Sequence, residues 1–410
     1  MMKTPKGMRL HIGIFGRRNV GKSSLLNALA RQHVSIVSEF AGTTTDPVEK
    51  PMELLPLGPV LFIDTAGIDD IGALGELRIE RTRRTLDRTD LGLIVTDAGE
   101  WGIFERALQA ELSSRGTPFI AVFNKADLAT PSPATEELLR SANTPFVLTS
   151  AASGQGILDL RDLVIRAAPD EYVNAPPLVA DLISPGELAM LVVPIDLEAP
   201  KGRLILPQVQ TIRDILDADA YCMVVKEREL RDAFNRLNRP PALVITDSQA
   251  FLKVAADTPS DVPLTSFSIL FSRFKGELTE FVRGALTIDA LRPGDRVLIA
   301  EACSHHPVGE DIGRVKIPRW LTQYAGGKLD IQHVQGHDFP QDLATYKLVI
   351  HCGACMLNRR AMLSRLIRCR AAGVPVTNYG MTIAYTLGIF ARALSPFPAA
   401  LETYRQSLQP

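Results

Sequence analysis

Short apolar runs, each followed at once by small or polar residues, recur along the chain and predict strands that end in loops. In the first third these runs are His11–Phe15, Val60–Asp64, Phe119–Phe123 and Val147–Thr149. The first run is followed by apolar residues at helical spacing, Leu25–Leu29. A short continuous apolar run favours a buried strand, and an i, i+3, i+4 pattern favours a helix. The alternation predicts an α/β fold with parallel sheets.

The same alternation continues beyond Ala168–Pro177, a segment rich in proline and polar residues that is typical of a linker. Further strand-like runs are Leu188–Val193, Tyr221–Val225, Leu243–Thr246, Arg296–Ala302, Ile331–Val334, Leu348–Ile350 and Val374–Thr377. Helical stretches are Gln208–Leu216, Arg228–Leu237, Ser248–Ala255, Ile317–Tyr324, Leu357–Ala371 and Met381–Ala393. We therefore predict three domains: a P-loop domain over 1–170 and two smaller parallel-sheet α/β domains over 178–262 and 263–410.

Composition narrows the class of protein. The 410 residues are 46% hydrophobic and 22% charged, with a formal net charge of −1. This balance gives no basic field for nucleic acid or an anionic membrane, and we expect neither as a partner. The chain contains no apolar run long enough to span a bilayer. The first strand begins near His11 and leaves no room for a leader, so a cytoplasmic protein is expected.

A P-loop follows the first predicted strand. Residues 16–24 read GRRNVGKSS, which fits G-x-x-x-x-G-K-S between a strand and a helix. In such a loop, backbone N–H groups surround phosphate oxygens, a lysine reaches the β- and γ-phosphates, and a hydroxyl binds Mg²⁺. The predicted phosphate-binding residues are Gly16, Asn19, Val20, Gly21, Lys22, Ser23 and Ser24.

Two further segments predict the catalytic Mg²⁺ site. The second apolar run ends in Asp64-Thr65-Ala66-Gly67, where Asp64 supports Mg²⁺ and the Gly67 N–H contacts the γ-phosphate. Between this run and the P-loop lies AGTTTD over 41–46, in which Thr44 is expected to complete the coordination. The predicted catalytic set is Lys22, Thr44, Asp64 and Gly67, with Mg²⁺ held by Ser23, Thr44 and Asp64.

The base-recognition residues follow the next two strands. Asn124-Lys125-Ala126-Asp127 ends one strand, and Ser150-Ala151-Ala152 ends the other. A carboxylate at Asp127 accepts the N1–H and N2–H₂ donors of guanine, which adenine lacks. A backbone N–H near Ser150 and Ala151 meets guanine O6. These motifs predict GTP as the nucleotide.

Together, GRRNVGKS, AGTTTD, DTAG, NKAD and SAA resemble the TrmE/Era/Der group of GTPases. Ile68 follows the DTAG segment where Ras-like proteins carry a water-positioning glutamine, and isoleucine cannot orient water. Asn19 matches the asparagine that potassium-activated members use as a ligand. The resemblance thus implies GTP hydrolysis stimulated by K⁺ at Asn19.

Cysteines and histidines cluster after two strands of the last third. Cys303-Ser304-His305-His306 follows one strand, and His351-Cys352-Gly353-Ala354-Cys355 ends the other. The total of five cysteines is odd and argues against a disulfide framework. Adjacent strand ends can bring Cys303, Cys352 and Cys355 together. Three thiolates suit an iron–sulfur cubane or a zinc ion with a fourth ligand, and the spacing does not separate the two.

The whole chain resembles the HydF family, the GTPases of [FeFe]-hydrogenase maturation. The match is carried by Cys-x-His, then 45 residues, then His-Cys-x-x-Cys, behind a G domain. The resemblance implies a [4Fe–4S] cluster on Cys303, Cys352 and Cys355, with His305 or His351, water or a carboxylate as fourth ligand. It also implies a homodimer formed by the middle domain. The implied function is a scaffold that delivers the diiron subcluster to apo-[FeFe]-hydrogenase and works with the radical-SAM maturation enzymes.

Two other functions compete with this hypothesis. A TrmE/Era-like GTPase of tRNA modification or ribosome assembly could carry a zinc-stabilised C-terminal domain, although 178–410 contains no obvious RNA-binding motif. A redox protein is the third hypothesis, ranked last because three cysteines leave an open position that favours substrate binding over simple electron transfer. The remaining cysteines, Cys222 and Cys369, are expected to be packed inside the fold.

Overall fold

The structure is a computed structural model that describes residues 4–31, 48–65, 82–97, 101–173, 176–194, 204–302 and 311–409. The chain divides into two compact units, Met1–Ala175 and Pro176–Pro410. The first unit contains one sheet, and the second contains two. The predicted architecture is confirmed: a P-loop domain is followed by two smaller parallel-sheet α/β domains.

The first unit is a six-stranded sheet flanked by helices. Its strands are β1 Leu10–Phe15, β2 Val48–Leu54, β3 Gly58–Asp64, β4 Leu91–Asp97, β5 Phe119–Asn124 and β6 Phe146–Leu148. The spatial order is β2-β3-β1-β4-β5-β6, in which only the edge strand β2 runs antiparallel to its neighbour. The helices are α1 Lys22–Arg31, α2 Ile103–Ser114, α3 Pro133–Ser141, α4 Ile157–Arg166 and α5 Asp170–Val173.

Both faces of this sheet are buried, as the continuous apolar runs predict. Along β1, Ile12 and Ile14 pack on the side of the helix residue Leu25. Phe15 instead belongs to a second core with Phe123 and other residues that pack beneath α2. The parallel strands all end at one edge, and the P-loop and the loops after β3, β5 and β6 therefore begin there.

The second unit opens with a four-stranded parallel sheet in the order β10-β9-β7-β8. Its strands are β7 Leu188–Val192, β8 Tyr221–Val225, β9 Leu243–Thr246 and β10 Leu264–Ser266, and its helices are α6 Leu206–Asp217, α7 Leu230–Asn235 and α8 Phe251–Asp257. Strand β10 pairs with β9 just past the end of the predicted middle domain at residue 262. Strand β8 is an edge strand, and Cys222 on it is half-buried.

The third sheet is also wholly parallel, in the order β12-β11-β13-β14. Its strands are β11 Arg296–Glu301, β12 Asp330–Gln335, β13 Leu348–His351 and β14 Val376–Asn378. The helices after β10 are α9 Phe267–Lys275, α10 Leu278–Leu286, α11 Ile317–Tyr324, α12 Arg359–Ala371, α13 Tyr379–Thr386, α14 Phe390–Ala393 and α15 Pro398–Ser407. One continuous apolar core joins the second and third sheets through α9 and α10.

One predicted helix is wrong. The stretch Met381–Ala393 forms two helices, α13 and α14, because Gly388 between them has a φ of +72°. That conformation ends a helix and is one that glycine adopts without steric cost. Among the described residues, no helix has the length and apolar content needed to cross a bilayer.

Candidate functional site

The phosphate-binding end of the first unit is preorganised around Lys22. Its Nζ donates to the carbonyl oxygens of Gly16 at 2.8 Å and Arg17 at 2.6 Å, and the side chain is buried. The loop needs left-handed backbone at three positions: Gly16 (φ +153°), Asn19 (φ +63°) and Gly21 (φ +92°). A Cβ at Gly16 would lie 2.1 Å from the Val95 carbonyl oxygen, so only glycine fits there.

The predicted Mg²⁺ ligands Ser23 and Asp64 lie together. Ser23 Oγ donates to Asp64 Oδ2 at 2.6 Å. The other carboxylate oxygen, Oδ1, is buried and has no hydrogen-bond partner among the described residues. Burial raises the pKa of the Asp64 carboxyl, opposed by the Ser23 hydrogen bond and the Lys22 charge. A buried carboxylate oxygen without a donor, beside a hydroxyl, fits a hard divalent cation.

Asn124 joins two loops of the nucleotide site. Its Nδ2 donates to the Val20 carbonyl of the P-loop at 2.8 Å, and its Oδ1 accepts from the Ala151 N–H at 3.1 Å. Asp127 lies exposed after the strand end, and Lys125 has a φ of +62°. The carboxylate that the sequence predicts to recognise guanine is therefore open to solvent. Thr44 and Gly67, the other two predicted catalytic residues, lie outside the described residues.

The described part of the predicted cysteine site lies at the end of β13, whose hydrogen-bonded neighbour is β11, with Ala300 opposite His351. Cys352 is 5% exposed, and its Sγ accepts from the backbone N–H groups of Ala302 at 2.9 Å and Ala354 at 3.4 Å. Ala302 is the residue that precedes Cys303 in the chain. Cys303 and His305 lie outside the described residues. Cys355 is half-buried on the same loop as Cys352.

His351 is held at both ring nitrogens. Its Nε2 accepts from Arg365 Nη1 at 2.7 Å, since a guanidinium can only donate, and Nδ1 faces the Cys352 carbonyl oxygen at 3.2 Å. Burial and the Arg365 charge lower the pKa of His351 to about 3. The ring is therefore neutral, with the proton on Nδ1 donated to the Cys352 carbonyl. The pattern of the sequence gives no signal for Arg365, which lies on α12 and is buried.

Lys275 is a second residue of this site that the sequence did not single out. It ends α9, is 1% exposed, and its Nζ contacts the carbonyl oxygens of Ala354 and Leu357, each at 2.6 Å. A lysine at the end of an amphipathic helix is normally read as a solvated residue. Cys369 on α12 is fully buried, and burial raises the pKa of its thiol to about 12. This fits the expected packing role of that cysteine.

The fold and the nucleotide motifs define the class of protein: a G domain of the P-loop GTPase type, followed by two parallel-sheet α/β domains. Residues 11–125 match the family described as 50S ribosome-binding GTPase. Residues 178–276 match the hydrogen maturase F dimerization domain, and residues 279–396 match the hydrogen maturase F tetramerization domain. The chain belongs to the hydrogen maturase F family.

Curated relatives are similar over part of the chain. The tRNA modification GTPase MnmE of Heliobacterium modesticaldum is 38% identical over 161 residues, which cover 37% of this chain and 33% of that protein. MnmE of Synechococcus elongatus is 37% identical over 175 residues, 40% of this chain and 37% of the relative. The chain therefore spans about a third of the length of these relatives.

Solved structures are also similar to part of the chain. An Aquifex aeolicus Era variant bound to GDP.AlF4⁻ has 24% identity and a TM-score of 0.33, covering 53% of this chain and 92% of that one. The G domain of the T. maritima FeoB iron transporter has 22% identity and a TM-score of 0.30, covering 39% of this chain and 99% of that one.

Proposed function

We propose that this protein is a GTP hydrolase and [4Fe–4S] scaffold that assembles or delivers the diiron subcluster to apo-[FeFe]-hydrogenase, with GTP hydrolysis switching its partner interactions. The observation that carries the proposal is the Cys352 loop. Its sulfur accepts an N–H from Ala302, the residue next to Cys303, at the adjoining ends of two parallel strands. Membership in the hydrogen maturase F family supports the same client.

The donor set fits an iron–sulfur cluster. Cys303, Cys352 and Cys355 would hold it, and the N–H groups directed at Cys352 Sγ are the contacts that stabilise a thiolate ligand. Three thiolates leave one iron with an exchangeable position, to which a metal precursor can attach. We propose that His351 orients the loop and is not a cluster ligand, because the lone pair of its Nε2 already accepts a hydrogen bond from Arg365. The fourth ligand is then His305 or a group from solvent.

In the G domain, this chain's residues bind and orient the nucleotide. The P-loop amides and Lys22 would hold the phosphates, and Ser23, Thr44 and Asp64 would hold Mg²⁺. The Gly67 N–H would contact the γ-phosphate, which would make the switch segments responsive to hydrolysis. Asp127 selects guanine.

We assign K⁺ stimulation to Asn19, whose left-handed backbone turns an exposed side chain out of the P-loop. The test is GTP turnover in K⁺ and in Na⁺. Wild type is expected to be several-fold faster in K⁺, and Asn19→Ala is expected to abolish the difference. Equal rates for wild type in both salts would end this assignment.

Self-association and partners follow from the family. We propose a homodimer through the middle domain, predicted at 178–262, with the cluster site in 263–410. The proposed clients are apo-[FeFe]-hydrogenase and the radical-SAM maturation enzymes, in the cytoplasm, without nucleic acid or membrane.

The cluster is tested by anaerobic purification and reconstitution, with iron, sulfide and zinc analysis and EPR of the dithionite-reduced protein. We expect about four iron and four sulfide per chain and a reduced-cluster signal. Cys352→Ala is expected to lose that signal, whereas Cys222→Ala, on the outer strand β8, serves as the matched control and keeps it. One zinc and no sulfide in wild type would contradict the scaffold proposal.

A further inference from the structure

Lys275 carries a buried ammonium group, and no carboxylate of the described residues forms an ion pair with it. It is one of the largest fully buried side chains of the described chain, at 1% exposure. Within the described residues, the Cys355 and Cys352 side chains favour its charged form, and its charge in turn disfavours protonation of His351. Burying an ammonium group costs several kcal/mol when no anion compensates it. Among the described residues, the groups that can supply compensating negative charge here are the cysteines Cys352 and Cys355.

The Nζ N–H groups of Lys275 all donate to backbone carbonyls of one short segment, residues 354–357. Nζ donates to the carbonyl oxygens of Ala354 and Leu357 at 2.6 Å, with Cys355 O at 3.4 Å. An ammonium has three N–H donors, so the loop after Cys352 takes all of them. Carbonyl groups orient the ammonium but leave its net charge in place.

The same loop is unusual in its backbone. Ala354 has a φ of +51°, a left-handed conformation that is sterically unfavourable for a non-glycine residue. Its carbonyl is held by Lys275, and its N–H faces Cys352 Sγ at 3.4 Å. The lysine contact and the sulfur contact thus lie on the two peptide groups that flank the Ala354 Cα, and together they restrain this residue. A buried lysine at the end of α9 can therefore restrain the loop at Ala354.

A small cavity adjoins both Lys275 and Cys352. It is lined by Lys275, Cys352, Gly353, Ser272 and Asn378, with apolar side chains around them. Asn378 Nδ2 donates to Ser272 Oγ and to the Ser268 carbonyl, so these two polar groups satisfy each other. Lys275 is the charged side chain among the residues that line this cavity.

We propose that Lys275 is the positioning residue and buried countercharge of the cysteine site, clamping the Cys352–Cys355 loop and balancing the negative charge of the iron–sulfur cluster. The inference rests on the proposed cluster function and adds a residue to it. A positive charge close to a cluster favours its reduced, more negative state, because charge and hydrogen bonds around the sulfurs set the reduction potential.

The test uses full-length protein, reconstituted anaerobically, in three variants. Lys275→Met removes the charge and keeps the length of the side chain. Lys275→Arg keeps the charge. Lys253→Met, an exposed lysine on α8, is the matched control. The readouts are iron content, the rate of iron loss to a chelator, and the reduction potential from an EPR-monitored titration.

We expect Lys275→Met to lose iron to the chelator at least about tenfold faster, the usual scale for losing an outer contact of a metal site. Its remaining cluster is expected to have a more negative reduction potential. Lys275→Arg is expected to recover the potential toward that of wild type, and Lys253→Met to match wild type. Recovery by arginine separates a charge effect from simple loss of packing.

Unchanged potential and chelation rate in Lys275→Met would overturn the inference and leave the cluster proposal standing. Absence of iron and sulfide from wild type would overturn both. If Lys275→Met does not fold, judged by its GTP turnover and circular dichroism, Lys275→Gln replaces it, since the amide keeps two donors without the charge. An unchanged potential in Lys275→Gln would likewise overturn the countercharge role.

Discussion

At the scale of single residues, Asn124 serves the nucleotide site mainly by connecting its loops. Both ends of its amide are occupied, by the Val20 carbonyl and the Ala151 N–H. Asp127 instead keeps an exposed carboxylate. Within this motif, Asn124 thus joins two loops, whereas Asp127 is exposed and is the residue that we predict to contact the base.

Asp127→Asn is expected to change which nucleotide binds. The amide lacks the second acceptor that guanine's N1–H and N2–H₂ require, and it supplies a donor that suits the 2-oxo group of xanthine. We expect GTP affinity to fall on the order of 10²-fold and XTP affinity to rise, because unpaired polar groups are costly in such a site. Isothermal titration with GTP and XTP measures both. Unchanged GTP affinity would contradict the role of Asp127.

His11 makes the first unit sensitive to acid. Its Nε2 lies 2.9 Å from the Lys6 carbonyl, and burial lowers its pKa from 6.5 to about 4. The unfolded chain therefore binds a proton that the folded one does not, and stability is lost as the pH falls from about 6.5 to about 4. The full shift corresponds to about 3 kcal/mol.

His11→Gln is expected to flatten this part of the pH dependence. Urea unfolding is followed by Trp101 fluorescence in a Trp320→Phe background, because these are the two tryptophans of the chain. His337→Gln, a change of an exposed imidazole, is the control and should retain the wild-type slope. Equal slopes for wild type and His11→Gln between pH 4 and 6.5 would refute the assignment.

At the scale of elements, the outer strand β8 exposes apolar side chains. Tyr221 is 64% exposed and Val224 is 43% exposed, on an edge whose far side has no strand in the described chain. Edge strands of this kind pair with other chains unless they are blunted. We expect β8 to form the homodimer contact of the region that matches the dimerization domain.

The double variant Tyr221→Lys, Val224→Lys is expected to weaken the dimer at least about tenfold, because like charges meet across a symmetric edge. Light scattering during size exclusion, over a range of concentrations, measures it. Leu252→Lys on α8, which is 53% exposed, is the control and should remain dimeric. A double variant as dimeric as wild type would exclude the β8 edge.

Elements that carry a strong apolar run were predictable, and those that depend on tertiary context were not. Strand β2 reads VEKPMEL, with one face partly solvated and a proline, and its pattern resembles no buried strand. Strand β10 has three residues, too few for periodicity to be read.

The site residues likewise include some that the sequence could predict and others that depend on tertiary packing. The G motifs and the strand-end cysteines follow from spacing, because parallel strands end at one edge. Lys275 and Arg365 lie far from the cysteines in sequence. Only the packing of α9 and α12 brings them to the loop.

At the scale of the molecule, the two units have separate cores: apolar clusters on both faces of the P-loop sheet in the first, and clusters of the second and third sheets in the second. We therefore expect Cys352→Ala to keep GTP turnover within about twofold of wild type, since the predicted cluster ligands and the predicted nucleotide ligands lie in different units. Lys22→Ala should do the reverse, keeping iron and losing turnover. Joint loss of both properties in either variant would show that the units do not act separately.

Activation of apo-[FeFe]-hydrogenase tests the central claim most directly. Full-length protein, produced together with the radical-SAM maturation enzymes and purified anaerobically, is mixed with the apo-enzyme, and hydrogen evolution is measured. Wild type and Cys222→Ala are predicted to restore activity, and Cys352→Ala to restore none. Equal activation by Cys352→Ala and wild type, or no activation by a wild type that holds its cluster, would contradict the account.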